Sequence, residues 1–171
     1  MLTIAALAML SVLTMTYYAS IGQSGRSLAQ SNAGLTATTI ATSFIERAQS
    51  TAFDCKTDTS SAAINNPNAL THWDSLGRES AAENNIDAFN DFDDFNGWVQ
   101  DYTPGWMNER YQVSFNVYYV DTSNIEVSVA KKTYLKRMDL TVLRTYPPVD
   151  TNVERNDPVH LSTIYGYFKF N

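Results

Sequence analysis

The sequence predicts an α+β protein in which a long N-terminal α-helix packs against a small antiparallel β-sheet of about four strands. Three observations predict it. Residues 1–21 hold no charged side chain, and helical spacing of apolar residues continues to Phe53. From Tyr111 onward the apolar pattern changes to the alternation of a half-buried strand. Between the two lies a stretch rich in Asp and Asn that also carries Trp73, Trp98 and Trp106. The chain thus divides into a helix (1–53), a connecting region (54–110) and a sheet (111–171).

Within the helix, 1–21 (MLTIAALAMLSVLTMTYYASI) is the membrane-like part. At the helical rise it spans about 31 Å, close to the hydrocarbon thickness of a bilayer. Thr3, Ser11, Thr14 and Thr16 are its clearly polar side chains before Ser20. Each is placed to bond a carbonyl one turn back. Tyr17 and Tyr18 fall where an interfacial aromatic anchor sits. A secretory signal would show a basic leading segment, and none is present. A one-pass anchor is one reading. The small residues Ala5, Ala6, Ala8 and Ser11 suit close helix–helix contact better than lipid exposure alone.

Residues 22–34 are polar and contain Gly22, Gly25 and Gly34. Each helix-interior glycine costs about 0.5–1 kcal/mol relative to Ala, so the Gly22–Gly25 pair marks the place for the helix to unwind or bend. In 35–53, Ala37, Ile40, Ala41, Phe44, Ile45, Ala48 and Ala52 recur at three and four residues. That stripe faces the head, leaving Thr36, Thr39, Glu46 and Gln49 elsewhere.

A connection as long as 54–110 is not expected to be structureless inside a compact domain. Short helices, for instance around Ser80–Phe89, and turns at Pro67 and Pro104–Gly105 are expected. The run Asn90-Asp91-Phe92-Asp93-Asp94-Phe95-Asn96-Gly97-Trp98 is the place in the sequence where metal chemistry could live. Asp91, Asp93, Asp94 and Asn96 offer oxygens of the kind calcium takes, but the EF-hand spacing fails, with Phe92 first and Thr103 twelfth if Gly97 is sixth. No metal is assigned. The run reads as a capped turn, with Phe92, Phe95 and Trp98 in the core and carboxylates capping backbone amides.

In the sheet region, Tyr111, Val113, Phe115, Val117 and Tyr119 alternate with Gln112, Ser114, Asn116 and Tyr118 as one strand. Asp121–Asn124 is a turn into a second strand at Ile125, Val127 and Val129. Tyr134–Tyr146 is a third, with Met138, Leu140 and Val142 on one face and Lys136 aside, stopped by Pro147-Pro148. After a polar loop at 149–158, Val159–Phe170 is the last.

Composition narrows the function classes. The net charge of −6 is concentrated after Glu46, so the head repels phosphate backbones and nucleic acid is not an expected partner. The single Cys55 forms no intramolecular disulfide, and no Cys/His cluster exists for zinc or iron–sulfur. His72 and His160 have no carboxylate or Cys at catalytic spacing, and no GxSxG, P-loop or GxGxxG occurs. No catalytic residue and no cofactor is assigned, and the chain is read as a non-enzyme. Ten Tyr and 12% aromatic residues suit a β-rich head or a large packing interface.

An apolar N-terminal helix of this length, followed by Ala52-Phe53-Asp54, a loop and a small antiparallel sheet, resembles a type IV pilin or pilin-like (pseudopilin) protein. The segment Asp91-Phe92-Asp93-Asp94-Phe95-Asn96-Gly97 and the closing VHLSTIYGYF resemble corresponding parts of such heads. The resemblance implies a homo-oligomeric helical filament on the cell surface, assembled from subunits held in the inner membrane. It implies prepilin peptidase and the pilus assembly machinery as partners, with Met1 as the processed N-terminus. Met1, Leu2, Ile4, Ala5, Leu7, Ala8, Leu10, Val12 and Leu13 would pack the filament core, and the segment around Gly22 and Gly25 would lose helicity on assembly. The sequence departs from the family at mature position five, where Ala5 replaces the usual glutamate. A minor pilin or pseudopilin of a secretion machine, and a single-pass anchored binding domain, are the alternatives.

Overall fold

The computed structural model describes residues 2–59, 64–105, 108–148 and 157–168. Met1, Trp106 and the end of the last expected strand, at 169–170, lie outside the described residues, as does most of the polar loop 149–158.

The fold is α+β. Helix α1 (Leu2–Gln49) runs for 48 residues, and a short helix α2 (Cys55–Thr59) follows. Four strands, β1 (Val99–Tyr102), β2 (Arg110–Tyr119), β3 (Leu135–Tyr146) and β4 (Val159–Gly166), form an antiparallel sheet in the order β1-β2-β3-β4.

The core lies where the C-terminal third of α1 crosses the sheet. Ala37, Ile40, Ala41, Phe44 and Ala48 are buried, and the intervening Thr38, Thr39, Thr42 and Glu46 are exposed, so the helical stripe works as its spacing dictates. Its partners are alternate residues of β2 and β3 that the register sets side by side: Val113 with Val142, Phe115 with Leu140, and Val117 with Met138. Phe44 meets Phe115 and Tyr102 edge-on, at ring-centroid distances of 5.5 and 5.7 Å.

Two strands differ from expectation. Ile125 and Val127 are exposed and lie in successive turns rather than a strand. Asp121 explains this locally: it accepts from the Ser123 amide and pairs with Lys131, closing the segment on itself. The fourth strand is instead β1, inside the region expected to be connection. Gly97, at φ 70°, turns the chain so that the Gly97 amide donates to the Phe115 carbonyl and the Phe115 amide to the Trp98 carbonyl. Those two bonds lay residues 99–102 along the free edge of β2. Around Ser80–Phe89 the helical content reduces to a single 3₁₀ turn at Ile86–Ala88, capped by the Asn85 side chain.

Candidate functional site: a projecting helix and a buried charge cluster

The first three-fifths of α1 project from the head. Every side chain from Thr3 to Asn32 is exposed, including Ile4, Leu7, Met9, Leu10, Val12, Leu13, Met15, Tyr17, Tyr18 and Ile21. Leaving these ten in water costs on the order of 15–30 kcal/mol. That exceeds the net stability of an ordinary domain, about 5–15 kcal/mol. The helix is long and apolar enough to cross a membrane. Its polar groups are prepared for an apolar medium: the Ser11 hydroxyl donates to the Ala8 carbonyl (2.8 Å), Thr14 to Leu10 and Ser11, and Thr16 to Leu13. Of the expected packing residues, Ile4, Ala5, Leu7, Ala8, Leu10, Val12 and Leu13 are all exposed on this helix. Met1 lies outside the described residues, and Leu2 is described in its backbone alone. Gly22 and Gly25 remain within unbroken helix in the isolated chain, each with open space where a Cβ would stand.

At the other end of α1 lies a cluster of buried charges that sequence reading did not anticipate. Lys136, set aside on sequence, is fully buried on the core face of β3, in register with Tyr119 of β2. Its ammonium spends its three protons on the Asp93 carboxylate (2.5 Å), the Phe53 carbonyl (2.8 Å) and the Asp54 carboxylate (2.9 Å). The rings of Phe53 and Tyr119 flank it at 4.7 and 5.3 Å. Asp54, just beyond the helix, also accepts from the Lys56 amide and from the Thr71 amide and hydroxyl. Burial opposes its charge, but the Lys136 ammonium and these bonds prevail and hold the carboxyl below its usual range. Lys136 therefore ties the helix exit, the 93–95 turn and the sheet into one ion-paired knot. The exit is fastened again where the Ala52 amide donates to the Asn90 carbonyl and the Phe92 amide to the Ala52 carbonyl.

The acidic run is a capped turn, as its residue types suggest. Asp91 Oδ1 accepts from the Asp93 and Asp94 amides, and Asp94 Oδ2 from the Asn90 and Asp91 amides. Phe92 and Phe95 are fully buried, and Trp98 packs against them half-buried. The calcium set allowed by the sequence does not form as such. Asn96 is committed elsewhere, its amide donating to the Leu76 carbonyl and its oxygen accepting from the Val117 amide. Asp93 faces Lys136. Asp91 and Asp94 instead lie beside Glu79 and Glu83. Burial, then the charge of Asp93, pushes the Asp91 carboxyl up to about 9, and burial also raises Asp93 and Asp94. Cys55 is half-buried, with its thiol pushed up to about 11 by burial, which keeps it protonated and weakly nucleophilic. His72 pairs with Asp74 in an exposed loop, and His160 meets the Thr141 hydroxyl on the outer face of the sheet.

The chain was compared with family models, with curated proteins and with solved structures, and none matches. What the structure itself shows is a long apolar N-terminal helix, half free and half packed on a four-stranded antiparallel sheet, an architecture compatible with a pilin-like fold.

Proposed function

We propose that this chain is the structural subunit of a type IV pilus-like filament that polymerises through its N-terminal helix. The observation that carries the reading is the division of α1. Residues 33–48 are matched to the head, whereas residues 3–32 are apolar for most of their length and exposed throughout. Lipid before assembly and neighbouring copies of the same helix after it are two apolar media that could cover that surface. Moving the helix between them changes little apolar exposure, because lipid is as apolar as Leu. Close packing at Ala5, Ala6, Ala8 and Ser11 and contacts between heads then set the sign. Processing by a prepilin peptidase and handling by pilus assembly machinery belong to this reading, as does a cell-surface location. Gly22 and Gly25 supply the weak point at which assembled helices unwind.

A second reading, a minor pilin or an anchored head, is favoured by one feature. Ala5 leaves the first turn of α1 without an acid to receive a neighbour's terminal amine. Cross-linking separates the two. In a Cys55→Ser background, Leu10→Cys is expected to give disulfide-linked dimers on mild oxidation of assembled material, since neighbouring helices lie side by side in the bundle. Leu10→Cys chains that stay monomeric under those conditions contradict the filament reading.

A further inference from the structure

Beyond the knot at Lys136, four more carboxylates lie in two overlapping groups that share Glu79. Oxygens of Glu79, Glu83 and Asp94 lie within 4.8 Å of one another, and an oxygen of Asp91 lies within the same distance of Glu79. Asp91 and Asp94 are fully buried and Glu83 is nearly so, while Glu79 closes the group from the solvent side. Hydrogen bonding consumes them only in part, Glu79 meeting the Cys55 thiol. Asp94 spends Oδ2 on two amides and Asp91 spends Oδ1 on two more, which leaves Asp94 Oδ1 and Asp91 Oδ2 buried with no partner. Asp93 Oδ2 is buried unpartnered as well. Glu83 Oε2 accepts from the Ser80 amide, so its other oxygen remains.

The charges do not balance either. Lys136 is shared between Asp54 and Asp93, and among the described residues no lysine or arginine pairs with Glu79, Glu83, Asp91 or Asp94. An unpaired buried carboxylate is costly enough that such a group must be neutralised by protons or by a cation. The donors are hard oxygens. Calcium–oxygen bonds of about 2.3–2.6 Å allow ligands on opposite sides to stand about 4.8 Å apart, and the oxygens of Glu79, Glu83 and Asp94 lie no farther apart than that.

We infer that Glu79, Glu83, Asp91 and Asp94 form a binding site for a divalent cation of calcium's class, which staples the 79–83 loop to the 91–94 turn. Cys55 borders the group, but a protonated thiol is a poor ligand for a hard cation and takes no part. The ion would stiffen a region that has few regular elements and that covers the sheet beside the exit of α1. It requires nothing of the filament and stands or falls independently of assembly.

The test is thermal unfolding of the full chain in detergent micelles, after exhaustive chelation and then with calcium chloride at about 5 mM, above the affinity range of extracellular sites. A rise in Tm of about 3–6 °C is expected, with one ion per chain by calorimetric titration. Glu79→Gln, at the solvent-facing side of the group, is expected to raise the chelated protein's Tm slightly, by removing one repelling charge, and to lose the calcium response. No shift in the native sequence would mean that protons alone neutralise the acids, and overturns the site. An equal shift in Glu79→Gln also overturns it, by showing that calcium acts elsewhere. A response to magnesium at the same concentration with none to calcium overturns the assignment of ion class.

Discussion

Ala8→Arg is expected to abolish filaments while leaving the head folded. Ala8 sits on the free half of α1, with small residues Ala5 and Ser11 one turn to either side. A guanidinium there costs about 2.5–3.5 kcal/mol to place at the centre of a membrane-spanning helix. In a bundle the same charge recurs at every subunit, in a seam formed by small side chains. The cost is therefore paid once in the membrane and repeatedly in the polymer, so assembly fails first. Leu10→Arg is expected to behave alike. The checks are fibre yield after shearing and the amount of chain in the membrane fraction. Native fibre yield from either variant would contradict assembly through this helix.

Lys136→Met is expected to cost about 3–5 kcal/mol of stability, the range for removing one partner of a buried ion pair. The loss comes from what remains: Asp54 and Asp93, both fully buried, keep their oxygens and lose their shared cation. Asp93 is the first to take up a proton, because burial raises it even beside Lys136, whereas Asp54 keeps the Lys56 and Thr71 bonds when the ammonium is gone. Combining Lys136→Met with Asp54→Asn and Asp93→Asn is expected to recover part of the loss, since no uncompensated charge is then buried. Urea unfolding of the full chain in detergent, followed by Trp fluorescence, measures both. A Lys136→Met cost below about 1 kcal/mol would show that the knot does not organise the head.

The fold class, the stripe that α1 presents to the sheet, and strands β2, β3 and β4 were all legible in the sequence. Each is decided by a local period that tertiary context then obeys. β1 was not legible, because Val99–Tyr102 is short and half polar and becomes a strand only through the Gly97 turn and the free edge of β2. Ile125–Val129 has strand-like residues, but the Asp121 turn closes the segment on itself, and the Val129 amide meets the sheet at the end of β2, on the Tyr119 carbonyl. Lys136 carried a signal that was available: it shares the even-numbered face of β3 with Met138, Leu140 and Val142. Residue type argued for solvent and parity argued for the core, and parity prevailed because Asp54 and Asp93 arrive from the helix exit and the 93–95 turn. Glu79 and Glu83 gave no such signal. Their meeting with Asp91 and Asp94 depends on how the 64–98 segment folds over the sheet, which no local period encodes.

The most direct test of the central claim is electron microscopy of material sheared from cells that express this chain. The account predicts long fibres composed mainly of this subunit, with residues 1–53 at the axis and the heads outward. Chain that remains in the membrane fraction, with no fibres in the sheared material, would contradict it and leave α1 as the anchor of a solitary head.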